Sequence, residues 1–265
     1  MMRLIFFCFC IISLTLTSCN NHEAKSGNEI PAKEKQLRDL VKHYPDSLTL
    51  RNKLVDYFAD NSDFDNAIKE TNFIIQKDSN NAVHWDAKAR LLFLNEDTLG
   101  AISAFKKAVE IYPDPQYVFA LGTLYAQKSN PLAISTADVL LQGPEAKDKL
   151  QAQFIKGLYY NYSGDKSKAI SFFDKCLSID YTFMDAYREK AIALYDMGKY
   201  DDALLLLEKA TTVKRTFDEA WYWMGRCYEK SGKRKEAIES YRLALQIDPA
   251  YVEAKEALGR LGVSN

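Results

Sequence analysis

The sequence predicts an all-α fold, a curved stack of helix hairpins laid side by side. Three observations predict it. Apolar residues recur at helical spacing within segments of about a dozen residues, as in Trp221, Met224, Gly225 and Tyr228, then Ala237, Tyr241 and Ala244. The same columns return every 34 residues. The breaks between segments carry a periodic set of glycines and prolines: Gly232, Gly198 and Gly164 in one set of breaks, Pro249, Pro113 and Pro45 in the other.

The columns give each position its reason. Behind Trp221 stand Tyr187 and Trp85; behind Gly225 stand Ala191, Gly157 and Ala89. The alanine at 237 recurs as Ala203, Ala169, Ala101 and Ala67, and Tyr241 is preceded by Leu207, Phe173 and Phe105. Small residues in two columns, facing large ones in a third, predict two helices crossing closely enough that an added side chain would hold them apart.

In chain order, residues 1–18 (MMRLIFFCFCIISLTLTS) carry one charge, Arg3, before an apolar run of 13 residues, Leu4–Leu16. That run is too short for a comfortable bilayer span and reads as a signal peptide. Residues 19–30 are polar, without period, and read as a flexible tether. Residues 31–47 carry the stripe Leu37, Leu40, Val41 and Tyr44 and read as a second helix without its first, a half repeat capping the stack. Six units follow over 48–251: 48–81, 82–115, 116–149, 150–183, 184–217 and 218–251. The first is degenerate, with Val55 in the small column and Thr71 in the aromatic one. The third is irregular: Gly122 and Tyr125 sit one position early, Asn130-Pro131 forces a turn, and Gly143-Pro144 ends the second helix. Two readings of it stand open, a tolerated loop adjustment and a local bend with a specialised contact. Residues 252–265 supply a closing helix whose outer side bears Glu253, Lys255, Glu256 and Arg260, as an end with nothing packed on it requires.

On these residues the chain resembles tetratricopeptide repeat proteins over about residues 31–261. The resemblance implies a right-handed α-α superhelical solenoid whose first helices line a concave groove. It also implies a protein or peptide partner in that groove. The inward positions of the C-terminal half are then Phe154, Leu158, Arg188, Ile192, Tyr195, Tyr222 and Arg226, an aromatic-plus-arginine mixture of the kind that anchors interfaces. Those of the N-terminal half, Asn52, Asp56, Asp86 and Arg90, are more polar. Some relatives grip a C-terminal carboxylate with lysines and asparagines there; the residues here do not match that set, and it is not carried over. An alternative is a small-molecule or glycan ligand stacked on Tyr195, Tyr222 and Trp223.

Leu16-Thr17-Ser18-Cys19 resembles a bacterial lipobox, which implies cleavage before Cys19, acylation of that residue, and attachment to a lipid bilayer. Asn20 and Asn21, where an Asp would resemble an inner-membrane retention signal, lean toward the outer membrane. Other chemistry is not signalled. His22, His43 and His84 are scattered without metal-ligand spacing, and no phosphate loop or nucleophile elbow appears, so no cofactor, metal or catalytic residue is expected. A formal net charge of −1 and a pI near 6.3 argue against nucleic acid. Cys176 and Cys227 read as small core residues.

Overall fold

The structure, a computed structural model, describes residues 30–263. Those residues form fourteen α-helices and no strand. After the lone α1 (Ala32–His43) come six hairpins: α2 (Leu48–Asp60) with α3 (Phe64–Lys77), α4 (Ala82–Leu94) with α5 (Thr98–Ile111), α6 (Pro115–Gln127) with α7 (Leu132–Leu140), α8 (Ala146–Tyr162) with α9 (Lys166–Ile179), α10 (Met184–Asp196) with α11 (Tyr200–Val213), and α12 (Asp218–Lys230) with α13 (Arg234–Ile247). The closing helix is α14 (Val252–Arg260). The leader, the tether up to 29, and Cys19 lie outside the described residues. No helix among the described residues is long and apolar enough to cross a membrane.

Local chemistry sets the helix ends. Side chains of Ser47, Asp63, Asn81, Asp97, Asp114 and Asp165 accept a backbone N–H from the first turn of α2, α3, α4, α5, α6 and α9, satisfying donors the helix itself leaves open. Within the hairpins the chain turns through one left-handed residue. Gly164, Gly198 and Gly232 take φ of +95°, +74° and +73°; in the three N-terminal hairpins the same place is held by Ser62, Glu96 and Ser129 at φ 59°, 63° and 52°. The turn is closed by a bond from two residues past the cap back into the helix, as from Asp63 N–H to the Phe58 carbonyl and from Lys233 N–H to the Tyr228 carbonyl.

Packing explains the columns. A Cβ added at Gly157 would lie 2.5 Å from Phe173 Cε1, and one at Gly225 would lie 2.5 Å from Tyr241 Cε1. The small residue of each first helix is therefore where the large residue of its own second helix crosses. Ala67, Ala101, Ala169, Ala203 and Ala237 are all fully buried. The core runs as four clusters along the stack, α1 to α4, α4 to α10, α10 to α12, and α12 to α14.

The irregular unit departs from this scheme. α7 has only nine residues, while α8 starts at Ala146, so the sequence boundary at 149/150 falls inside that helix. A Cβ added at Gly122 of α6 would lie 2.5 Å from Ile155 Cδ1 of the next first helix and 3.2 Å from Thr136 Cγ2 of its own partner α7. The short α7 lets α6 and α8 meet directly, and Phe119 and Phe154 touch across that contact with ring centroids 6.3 Å apart. Every residue from Val118 to Ala126 is buried.

Candidate partner-binding surface

Four of the seven inward positions of the C-terminal half change role in the structure, one of them Tyr222, which is buried at the α10–α12 seam. Phe154 and Leu158 are buried, contrary to the expectation that they face the groove. The Phe154 ring packs on Phe183 (5.0 Å), Phe173 (5.9 Å) and Phe119 (6.3 Å). The reason is the direct α6–α8 contact, which turns this part of the inner face into core. Arg188 is the third. Its Nη1 binds Asp185 (2.9 Å) and Glu219 of α12 (3.0 Å), and its Nε binds Glu189 (3.3 Å).

That arginine anchors a polar chain crossing three first helices. Buried Glu189 accepts at Oε2 from Asn161 Nδ2 of α8 (3.4 Å). Asn161 Oδ1 accepts from Lys166 Nζ (2.8 Å), which also binds Asp196 (2.6 Å). Burial pushes the Glu189 carboxyl above its ordinary range, and the Arg188 charge beside it pulls the other way without winning. Burial opposes the Arg188 charge, yet Glu189, Asp185 and Glu219 together hold its pKa above the usual guanidinium range. Burial, with Glu189 nearby, pushes the Tyr162 hydroxyl up to about 12. Arg188 therefore ties α10 to α12 through Nη1 and Nε, while its buried Nη2 has no hydrogen-bond partner among the described residues.

The remaining positions converge on the seam between α10 and α12. Arg226 Nη1 donates to the Tyr222 hydroxyl (3.0 Å) and its Nη2 to the Tyr195 hydroxyl (3.1 Å). Its guanidinium carbon lies 5.1 Å from the Tyr195 ring centre, 5.3 Å from Trp223 and 5.9 Å from Tyr222. Trp223 meets Tyr195 and Tyr222 edge-on, at 5.5 and 5.6 Å. Desolvation works against the Arg226 charge, but the Tyr222 and Tyr195 hydroxyls outweigh it and its pKa is raised. Arg226, Tyr195 and Trp223 stay partly exposed, whereas Tyr222 is buried beside Tyr241 and Tyr251, and Ile192 is half-buried. The guanidinium lies over one side of these rings and the rings meet one another edge-on.

In the N-terminal half Asn52 and Asp56 are exposed, and Asp86 and Arg90 pair along α4 with Nε at 3.0 and 2.9 Å from the two carboxylate oxygens. Desolvation first, and then Asp60, raise the Asp56 pKa. Cys176 and Cys227 are free and fully buried, and burial lifts each thiol to about 12. Among the described residues no group of three or more His, Cys, Asp or Glu is placed to hold a metal ion.

Glu189 and Glu219 were not singled out by sequence reasoning, although a signal exists for Glu219. Apart from Asn161–Glu189 at 28, the pairs bridging consecutive first helices are 31 residues apart: Arg188–Glu219, Tyr195–Arg226 and Glu229–Arg260. That separation is the 34-residue period less about one helical turn. Searching for complementary residues at that offset finds the seam bonds directly.

An all-α solenoid whose inner face is built from consecutive first helices defines a repeat scaffold. Comparison with known proteins gives the family. A tetratricopeptide repeat model matches residues 150–183 and another matches 188–252. TPR repeat-containing protein MJ1428 of Methanocaldococcus jannaschii is 25% identical over 217 residues, which is 75% of this chain and 36% of that protein. Tetratricopeptide repeat protein 1 of Schizosaccharomyces pombe is 21% identical over 224 residues, which is 77% of this chain and 21% of that protein. The chain thus spans a minor part of either relative. A solved tetratricopeptide repeat protein from Parabacteroides merdae has the same fold, with a TM-score of 0.73 at 17% identity, over 86% of this chain and 91% of that one. PilW, a type IV pilus biogenesis factor by its description, gives a TM-score of 0.62 at 18% identity, over 80% of this chain and 98% of that one. The chain is a tetratricopeptide repeat protein.

Proposed function

We propose that this protein is a membrane-anchored scaffold of the bacterial cell envelope that holds a protein or peptide partner against its concave face. The observation that carries the reading is the α10–α12 seam, where an arginine and two aromatic side chains stay partly exposed on the inner face of a rigid stack. Buried anchors of this composition dominate protein interfaces. No bond is made or broken in this function; the stack supplies contact area and the lipid supplies position. The anchor is Cys19, on the strength of the lipobox-like Leu16–Cys19, and the outer membrane is its address. Several acyl chains on one residue hold it there, since each buried methylene contributes roughly 0.8 kcal/mol.

A photo-crosslinking amino acid placed at Ile192, on the inner face, tests the partner claim in native envelopes. The same label at Leu205, exposed on α11, is the control. A discrete crosslinked product at 192 and none at 205 is expected; equal products at both positions would refute groove binding. For the anchor, labelled palmitate enters the wild type and not Cys19→Ser, and equal labelling refutes it.

A further inference from the structure

We propose that Arg226, Tyr195, Tyr222 and Trp223 form a socket for a carboxylate carried on a side chain within the partner; the proposal rests on the inner-face reading above. Unmet hydrogen-bonding capacity at this seam is mainly of one kind. The two tyrosine hydroxyls accept from Arg226, and neither O–H has an acceptor among the described residues. The Trp223 indole N–H has none either, and Arg226 keeps its Nε–H and one N–H on each terminal nitrogen. Four donor groups thus meet, and the acceptor capacity beside them is only what the two phenol oxygens keep after accepting from Arg226.

Charge points the same way. Among the described residues four arginines are partly buried: Arg51, Arg90, Arg188 and Arg226. The first three each meet a carboxylate, at 2.6 Å from Glu70, 2.9 Å from Asp86, and 2.9 and 3.0 Å from Asp185 and Glu219. Arg226 alone of the four meets none; its polar partners are neutral hydroxyls. The acid one turn along, Glu229, is engaged by the Tyr241 hydroxyl (2.7 Å) and by Arg260 (3.4 Å). A half-desolvated cation with no counter-ion is a costly feature that an incoming anion relieves.

Shape selects among anions. Rings lie over the guanidinium, so an acceptor must approach its edge, and a planar two-oxygen group matches that edge better than a tetrahedral one. First helices α10 and α14 flank α12 on both sides, so a chain can run past the seam in either direction. That favours a side-chain carboxylate over a chain terminus.

The test follows the Trp223 indole N–H resonance of the full chain, assigned by its loss in Trp223→Phe. The probe is N-acetylglutamic acid α-amide, and its control is N-acetylglutamine α-amide, which differs only in lacking the charge. Expected is a saturating shift with the acid and none with the amide, at least tenfold weaker in Arg226→Gln and intermediate in Arg226→Lys. An equal response to the amide, or an unchanged response in Arg226→Gln, overturns the socket. Inorganic phosphate or N-acetylalanine saturating at lower concentration than the acid overturns the side-chain carboxylate assignment. Unfolding midpoints of the variants are compared with wild type; if Arg226→Gln does not fold, the Tyr195→Phe/Tyr222→Phe pair, which removes two O–H donors, must weaken the shift at least fivefold. A crosslink at Ile192 that survives in Arg226→Gln, with no carboxylate response in the wild type, sinks the socket and leaves the scaffold reading standing. A carboxylate response without any crosslink does the reverse.

Discussion

The same substitution, glycine to alanine inside a helix, should act with opposite sign at two places in this chain. At Gly259, in the last turn of α14, an added methyl meets nothing within 4 Å. There alanine brings its better helix propensity, up to about 1 kcal/mol. At Gly157 the methyl would sit 2.5 Å from Phe173 Cε1 and 2.8 Å from Cδ1, against about 3.5 Å for a comfortable carbon contact. The ring would have to retreat by about 1 Å. It is fully buried and packed on Phe154 at 5.9 Å, so it has nowhere to go without moving α9. Overpacking of that kind costs about 1–3 kcal/mol, which exceeds the propensity gain. Gly157→Ala should therefore lose about 1 kcal/mol net and lower the melting temperature by roughly 2–4 °C, while Gly259→Ala raises it. Because each hairpin touches only its neighbours, amide exchange should quicken in α8 and α9 and stay unchanged in α2 and α3. Gly157→Ala matching Gly259→Ala in sign and size would refute the close-crossing account of the small-residue column.

Glu96 sits at φ 63° in a loop place that Gly164, Gly198 and Gly232 occupy in other units. Relief of left-handed strain, about 1–2 kcal/mol, less the extra chain entropy of glycine, about 0.5–1, predicts that Glu96→Gly stabilises modestly in urea unfolding. Arg188→Met should cost about 3–5 kcal/mol, because it strips the buried Glu189 carboxylate of its cation. In the same denaturation assay Arg226→Gln should cost far less, and equal losses would contradict the distinction between the two arginines. The Cys176 thiol, near 12 in the folded chain, titrates near 9 once unfolded. Its folded pKa is raised, so its contribution to stability is intact below pH 9 and is lost as pH climbs toward 12. By pH 10 the wild type should have lost on the order of 1 kcal/mol relative to Cys176→Ala, measured as the change in their stability difference from pH 7.

The helix count, the hairpin order and the close crossings were legible in the sequence because they repeat. Gly157, Gly225 and the buried alanines announce themselves by returning at one period. The binding face was legible only in part. Phe154 and Leu158 hold inward register positions, and their burial follows from the shortness of α7, which a column reading cannot convert into a change of helix spacing. Arg188 and Arg226 look alike in the sequence. What separates them is the presence of Glu219 and Glu189 beside one and of neutral tyrosines beside the other.

The all-round burial of α6 bears on how such a chain can change length. A 34-residue cassette cut between Phe183 and Met184 and between Phe217 and Asp218 begins and ends in loops and carries a complete small-against-large crossing. Duplicating or excising it leaves every joint of a familiar kind. No such cassette can be lifted cleanly from the middle, because α6 packs on the following hairpin as well as on its own partner, with Ile155 of α8 filling the space a Cβ at Gly122 would need. Growth and loss by whole units are thus open to the C-terminal arm, while 115–162 must be inherited as one block.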